Sequence, residues 1–235
     1  MTRLLRTAVA LAVAGVVVLV GVLVVAEPAR ADDATAVARA KAEVTRRIDL
    51  RLAALRRFDA AGKGARHLTD AHEATLHTLI TEDAAGLGAL KTKVALETTL
   101  AALRADAASM VNDYRIFILV GPKVRLTIAG DAEQAAIGRL QSAHDKLAGL
   151  VTEAKAAGKD TAAAEQNLAD MQAAINSAKT RLDGQIAGLL AVQPGPDGDA
   201  IRAKVATVRR ALGAARADLR TAIAEAKQVR DFLRP

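Results

Sequence analysis

Few residues in this chain are equipped for chemistry, and their spacing limits what they could do. His67, His72 and His77 recur every five residues. On a helix each such step turns by about 140°, so the three imidazoles cannot share one face. Glu73 and His77 are four apart and can both face one ion, but the sequence has no His-x3-His. The expectation is solvated or partly packed histidines and no metal site. His144 falls on an apolar repeat and reads as a satisfied or edge-exposed core histidine.

Phosphate-loop look-alikes fail on inspection. In AAGKD, residues 156–160, the GK is followed by Asp, and Glu153 stands where a GxxxxGK[ST] loop has its first glycine. GLGALK, residues 86–91, lacks a third glycine and a preceding strand. The DGD of 197–199 is too short for a calcium loop, which needs acidic groups at several set positions and a closing Glu. The three serines, Ser109, Ser142 and Ser177, sit in helical sequence without a G-x-S-x-G setting. With no cysteine, thiolate and disulfide chemistry are excluded. The sequence therefore predicts no catalytic residues, no metal and no cofactor.

What remains is charge and one apolar island. The pairs Arg46-Arg47, Arg56-Arg57 and Arg209-Arg210 could hold an anionic polymer of the envelope or a partner protein. Little aromatic interleaving accompanies them, so no nucleic-acid partner is expected. The competing reading is a solvated face matched within the molecule. The island is NDYRIFILVGPKVRLTIAGD, residues 112–131, with the single tyrosine, Tyr114, and one of three phenylalanines, Phe117. Tyr114 and Phe117 are the candidate apolar partner patch. Gly121-Pro122 divides the island, and helix–break–helix is the favoured reading. The alternative is a β-hairpin over 114–129, because Val124, Leu126 and Ile128 alternate with Arg125 and Thr127.

The elements that would position these residues are helical throughout. Val44, Ile48, Leu52, Leu55 and Phe58 step by three and four, and AAGKGAR ends that helix at 60–66. A second helix is expected from Thr69-Asp70 to Val111, with Asp70 and Glu73 at capping-box spacing and a local bend at Gly86 and Gly88. After the island, Ile137, Leu140, His144, Leu147 and Val151 form a helix–helix seam, with Asp131 and Gln134 as the capping pair at its start. A helix through Leu168, Met171, Ile175, Leu182 and Leu189 follows. The loop PGPDGD, residues 194–199, precedes a last helix from Ile201 to Leu233. Short loops favour antiparallel neighbours. The expected architecture is all-α: an elongated, antiparallel, coiled-coil-like bundle of about five helices with a break at Gly121-Pro122.

The residues at 86–131 carry one resemblance. GLGALKTKVALETTLAALRAD followed by NDYRIFILVGPKVRLTIAGD is similar to a group of uncharacterised secreted helical proteins of actinobacteria and related bacteria. There, a GL-x-x-LK segment precedes a YR-aromatic–apolar–PK segment and an acidic residue. Gly130 stands where alanine is usual, and Phe117 where tyrosine is common. The resemblance covers about a fifth of the chain and implies an exported helical protein without catalytic residues to transfer.

The start of the chain points the same way. Arg3 and Arg6 precede an unbroken apolar run from Ala8 to Ala26, and Ala29 and Ala31 stand at minus three and minus one of a signal-peptidase site. The expectation is a signal peptide over 1–31 and one helical-bundle domain over 32–235, secreted or associated with the cell envelope. Since roughly 20 apolar residues span a bilayer, the run becomes a membrane anchor if it stays uncleaved. The mature chain keeps 30 basic and 25 acidic residues. Residues 34–66 and 200–235 each carry nine basic and three acidic side chains, whereas 67–199 carry 12 basic and 17 acidic. Aromatic residues make up 2% of the chain, which suits helix seams of Leu, Val, Ile and Ala better than a compact globule. Taken together, the expectation is a non-enzymatic protein with an unknown protein or envelope partner, and a homo-oligomer if the seams close between chains.

Overall fold

The structure, a computed structural model, describes residues 29–234, with side-chain surroundings from Asp33 onward. Residues 1–28 of the signal-peptide reading lie outside that description, as do the side-chain surroundings of its cleavage positions Ala29 and Ala31. Among the described residues every regular element is a helix. They are α1 (Ala29–Lys63), α2 (Asp70–Leu96), α3 (Leu100–Asn112), a π turn (Ile116–Val120), α4 (Gly121–Ala156), α5 (Ala162–Leu182), α6 (Gln185–Leu190) and α7 (Gly198–Leu233). None of the described helices is long and apolar enough to cross a membrane.

The hairpin alternative over 114–129 is overturned. Val124 and Thr127 are buried on α4, and Leu126 and Ile128 are partly buried, because this stretch lies between the two cores with Arg125 on its exposed side. A helix packed between two cores keeps little of its polar stripe, so the apparent alternation reports burial and not a strand. The break at Gly121-Pro122 also moves. The π turn runs straight into α4, with the Gly121 N–H donating to the Ile116 carbonyl. Pro122 occupies the first turn of α4, a position that proline favours. The chain reverses earlier, at Asp113–Arg115, between α3 and the π turn.

Further helix boundaries differ from expectation: the helix expected through Leu189 stops at Leu182, and the left-handed Gly184 precedes the separate α6. The second helix is interrupted at Glu97–Thr99, where Thr99 caps α3 by accepting from the Ala102 N–H at 3.2 Å. Threonine competes well for such caps, and the apolar rhythm hid the stop. The cap of α2 is Thr69 and not Asp70, since the Thr69 hydroxyl accepts from the His72 N–H. Asp131 caps no start of α4, which begins ten residues earlier.

Two main hydrophobic cores share helix α4, with a smaller cluster of Val151, Ala164, Leu168 and Val229 at its far end. The first is built from Val44, Ile48 and Leu55 of α1, Leu76, Ile80, Leu87 and Val94 of α2, Leu103 and Met110 of α3, and Ile116, Val120 and Val124. The second joins α4 to α5, α6 and α7 through Ile137, Met171, Ile175, Leu189, Val205, Leu212 and Leu219. The island that divides the sequence is the place where the two cores meet. A helix of 36 residues is about 54 Å long at 1.5 Å per residue, which lets α4 serve both.

Candidate functional site

Arg115 opens the junction. It is the one non-glycine with positive φ among the described residues, at 45°. That conformation is unfavourable for a side chain with a Cβ and persists where surrounding contacts enforce it. Here its guanidinium donates to the Gly195 carbonyl at 2.6 Å, the Asn112 side chain at 2.9 Å and the Pro196 carbonyl. Arg115 thus pins the end of α3 to the loop that leads into α7. The π turn follows at once, and such wide turns are found preferentially at functional positions.

Behind the turn lies a cavity of about 220 Å³. One wall is a single face of α2, with Thr75, Leu79, Glu82 and Asp83; the opposite wall is Leu119, Val120 and Lys123; Leu190, Gln193 and Pro194 close it from the second core. Tyr114 forms its edge. A Cβ on Gly86 would lie 2.6 Å from the Tyr114 hydroxyl and 2.8 Å from its ring. The glycine therefore admits the ring, and α2 runs on through it to Leu96.

The cavity's charges are perturbed by burial. Lys123 is only 3% exposed, and its Nζ donates to the Leu190 carbonyl at 2.8 Å. Burial lowers its pKa, with the Asp83 carboxylate opposing the shift. Asp83 moves the other way: burial pushes it up to about 6, Lys123 pulls it down, and Glu82 adds to the rise. The Tyr114 hydroxyl is raised by burial and then by the carboxylates of Asp113 and Asp83. Asp83 and Lys123 feel each other without forming an ion pair, and Asp83 Oδ2 is buried with no hydrogen-bond partner. Clustered shifts of this kind in a cleft mark candidate functional sites.

A second polar contact closes the same junction. Asp131, 7% exposed on α4, accepts from the Thr69 N–H at 2.8 Å and from His72 Nδ1 at 2.8 Å. A carboxylate on one helix thereby satisfies the N-terminus of another, where negative charge is favoured. Gly130, beside it, is also required: a Cβ there would sit 2.7 Å from Ile186 of α6. Close approach of α6 explains the glycine at this position.

The residues singled out from sequence fall in three places. Tyr114 and Phe117 do not form one patch: Tyr114 edges the cavity, while Phe117 is 52% exposed with the Arg51 guanidinium 5.3 Å from its ring centre. Arg46 and Arg47 both grip Glu43, at 2.9 and 2.6 Å, and hold its carboxyl down to about 2. Arg210 donates to the Thr207 hydroxyl. Arg56, Arg57 and Arg209 are exposed and have no partner among the described residues. His77 pairs with Asp59 at 2.8 Å and not with Glu73, and His144 contacts Asp145 at the bundle edge. Ser177 donates to Asp218, which Arg181 also holds. Among the described residues no three or more His, Asp or Glu side chains converge as for a metal.

Matching of basic outer helices to acidic inner ones is slight. Arg216 of α7 meets the buried Glu133 of α4 at 2.6 Å. The pairs Asp49–Lys91, Asp59–His77 and Asp218–Arg181 run the opposite way, with the outer helix supplying the acid. Several outer cations pair instead with acids of their own helix, as Lys63 does with Asp59 and Arg202 with Asp199, and Arg56, Arg57 and Arg209 are left facing solvent. Sequence reading missed Asp83, Lys123 and Asp131 as a group, since they lie far apart along the chain in apolar or helical contexts. The PK of the island and the isolated acid after it were the available signals. No family model matches this chain, and no curated protein or solved structure does either.

Proposed function

We propose that this protein is exported and acts at the cell envelope as a non-enzymatic binding protein, holding an anionic envelope component on the cationic faces of α1 and α7. The observation that carries this reading is the failure of internal charge matching: Arg56, Arg57 and Arg209 point outward unpaired on segments with nine basic and three acidic residues each. Unmatched cations raise the local concentration of anionic polymers and steer their approach. The signal-like segment at residues 1–31 supports the location, and export makes wall or lipid phosphates the accessible anions.

The test is retention of the purified protein on isolated cell walls across a salt series. Retention at low salt that falls steeply by about 0.3 M, where the screening length drops well below 10 Å, is expected. The combined variant Arg56→Glu, Arg57→Glu and Arg209→Glu should lose most of it while keeping its helicity. Retention indifferent to salt, or absent altogether, refutes the reading.

A further inference from the structure

We propose that the junction cavity is a binding site for a small zwitterion of the α-amino acid class. The geometry behind this is an opposite-charge pair that shares one cavity without meeting. Lys123 spends one of its three N–H donors on the Leu190 carbonyl and reaches no carboxylate within ion-pair distance. Asp83 lines the facing wall and meets no cation within ion-pair distance among the described residues, and one of its oxygens is enclosed without a partner. In poorly solvated surroundings, a buried ion that lacks a partner is costly, and a lysine and an aspartate so placed would ordinarily close into contact. Here the walls of α2 and α4 hold them apart across about 220 Å³.

A zwitterion completes both ends at once. Its carboxylate accepts the two remaining Lys123 donors, and its ammonium donates to Asp83, with Glu82 adding negative charge on the same helix face. Leu119 and Val120 offer an apolar wall to a short side chain. At about 30 Å³ for each water, the space holds roughly seven waters, so it suits a ligand of a similar number of non-hydrogen atoms. A lone carboxylate or a lone amine would satisfy only one of the two walls. Displacing water with a molecule that pairs both ions is the outcome this arrangement favours. The site is independent of the cationic faces of α1 and α7, which lie elsewhere on the molecule.

The experiment is a titration of the full mature chain with L-alanine, L-serine and L-valine, followed by calorimetry and by amide chemical shifts of Thr75 and Gln193. Acetate and methylamine serve as half-ligands. Saturable binding of at least one amino acid is expected, with each half-ligand at least about tenfold weaker. Asp83→Asn should weaken amino-acid binding by about tenfold or more while its circular dichroism and wall retention stay as in the parent. Lys123→Gln should do the same; if it fails to fold, Asp83→Asn decides alone. No saturable response to any of the three amino acids overturns the proposal. So does acetate binding as tightly as the amino acids, which makes this a plain anion site, or binding untouched by Asp83→Asn.

Discussion

The bundle of α5 and α7 and the junction around the π turn are built on opposite principles. In the bundle, Met171, Ile175, Ala178 and Leu182 face Ile201, Val205, Val208, Leu212, Ala215 and Leu219, all buried and all apolar. The buried charged residues lie elsewhere: Asp106 on α3, and Lys123, Asp131 and Glu133 on α4. The junction also holds the left-handed Arg115 and the π turn. A seam of aliphatic side chains is stabilised by area alone and accepts many near-equivalent registers. Buried polar groups gain little net stability but are satisfied in few arrangements. The bundle seam is thus held by apolar area, and the mutual placement of the two cores is specified at the junction.

Truncation in the bundle should have the largest effect. Ile175 is fully buried, so Ile175→Ala is expected to lower unfolding stability by about 2–5 kcal/mol, read by chemical denaturation. A loss below about 1 kcal/mol would mean that the bundle seam is not where stability resides. A smaller but sharper contrast separates two glycines of α2. In an unobstructed helix, Gly→Ala stabilises by roughly 0.5–1 kcal/mol. Gly88→Ala should show that gain, since nothing lies within 4 Å of its added Cβ. Gly86→Ala should reverse the sign and cost about 1–2 kcal/mol, because its Cβ meets the Tyr114 hydroxyl at 2.6 Å. Equal gains at both sites would show that the tyrosine ring moves aside freely, and the junction would lose its claim to specificity.

This contrast also explains how far the sequence could be read. Apolar steps of three and four announced α7 almost residue for residue, because Ile201, Val205, Val208, Leu212, Ala215, Leu219, Ala222 and Val229 all turned inward. The turn at 156–160 and the loop at 194–199 were equally legible, since glycine and proline act locally. Caps were less so: Thr69 and Thr99 end helices by one hydroxyl each, without disturbing the apolar rhythm. The junction was harder to read for a different reason. Burial blurs its periodicity, so Val124, Leu126 and Ile128 left a strand open as the alternative to the favoured helix. The site was hidden still more deeply. Asp83 and Lys123 are forty residues apart, and only the packing of α2 against α4 gives their charges a common cavity.

The cavity supplies the subtlest way to probe the difference, through pH. The free carboxyl of aspartate titrates near 4, and burial raises that of Asp83 to about 6 in the folded state. Below pH 4 both states hold the proton and the shift contributes nothing. As pH rises from about 4 to 6, the unfolded chain ionises while the folded one resists, so stability falls across that window and then levels. Asp83→Asn removes the ionisation. It should match the parent near pH 3.5 and exceed it by about 1 kcal/mol above pH 6.5, after allowing for partial solvent screening and the lost attraction to Lys123. Urea unfolding at the two pH values measures this directly. A difference that does not change with pH would place Asp83 in ordinary solvent contact, and the junction would then differ from the bundle only in shape.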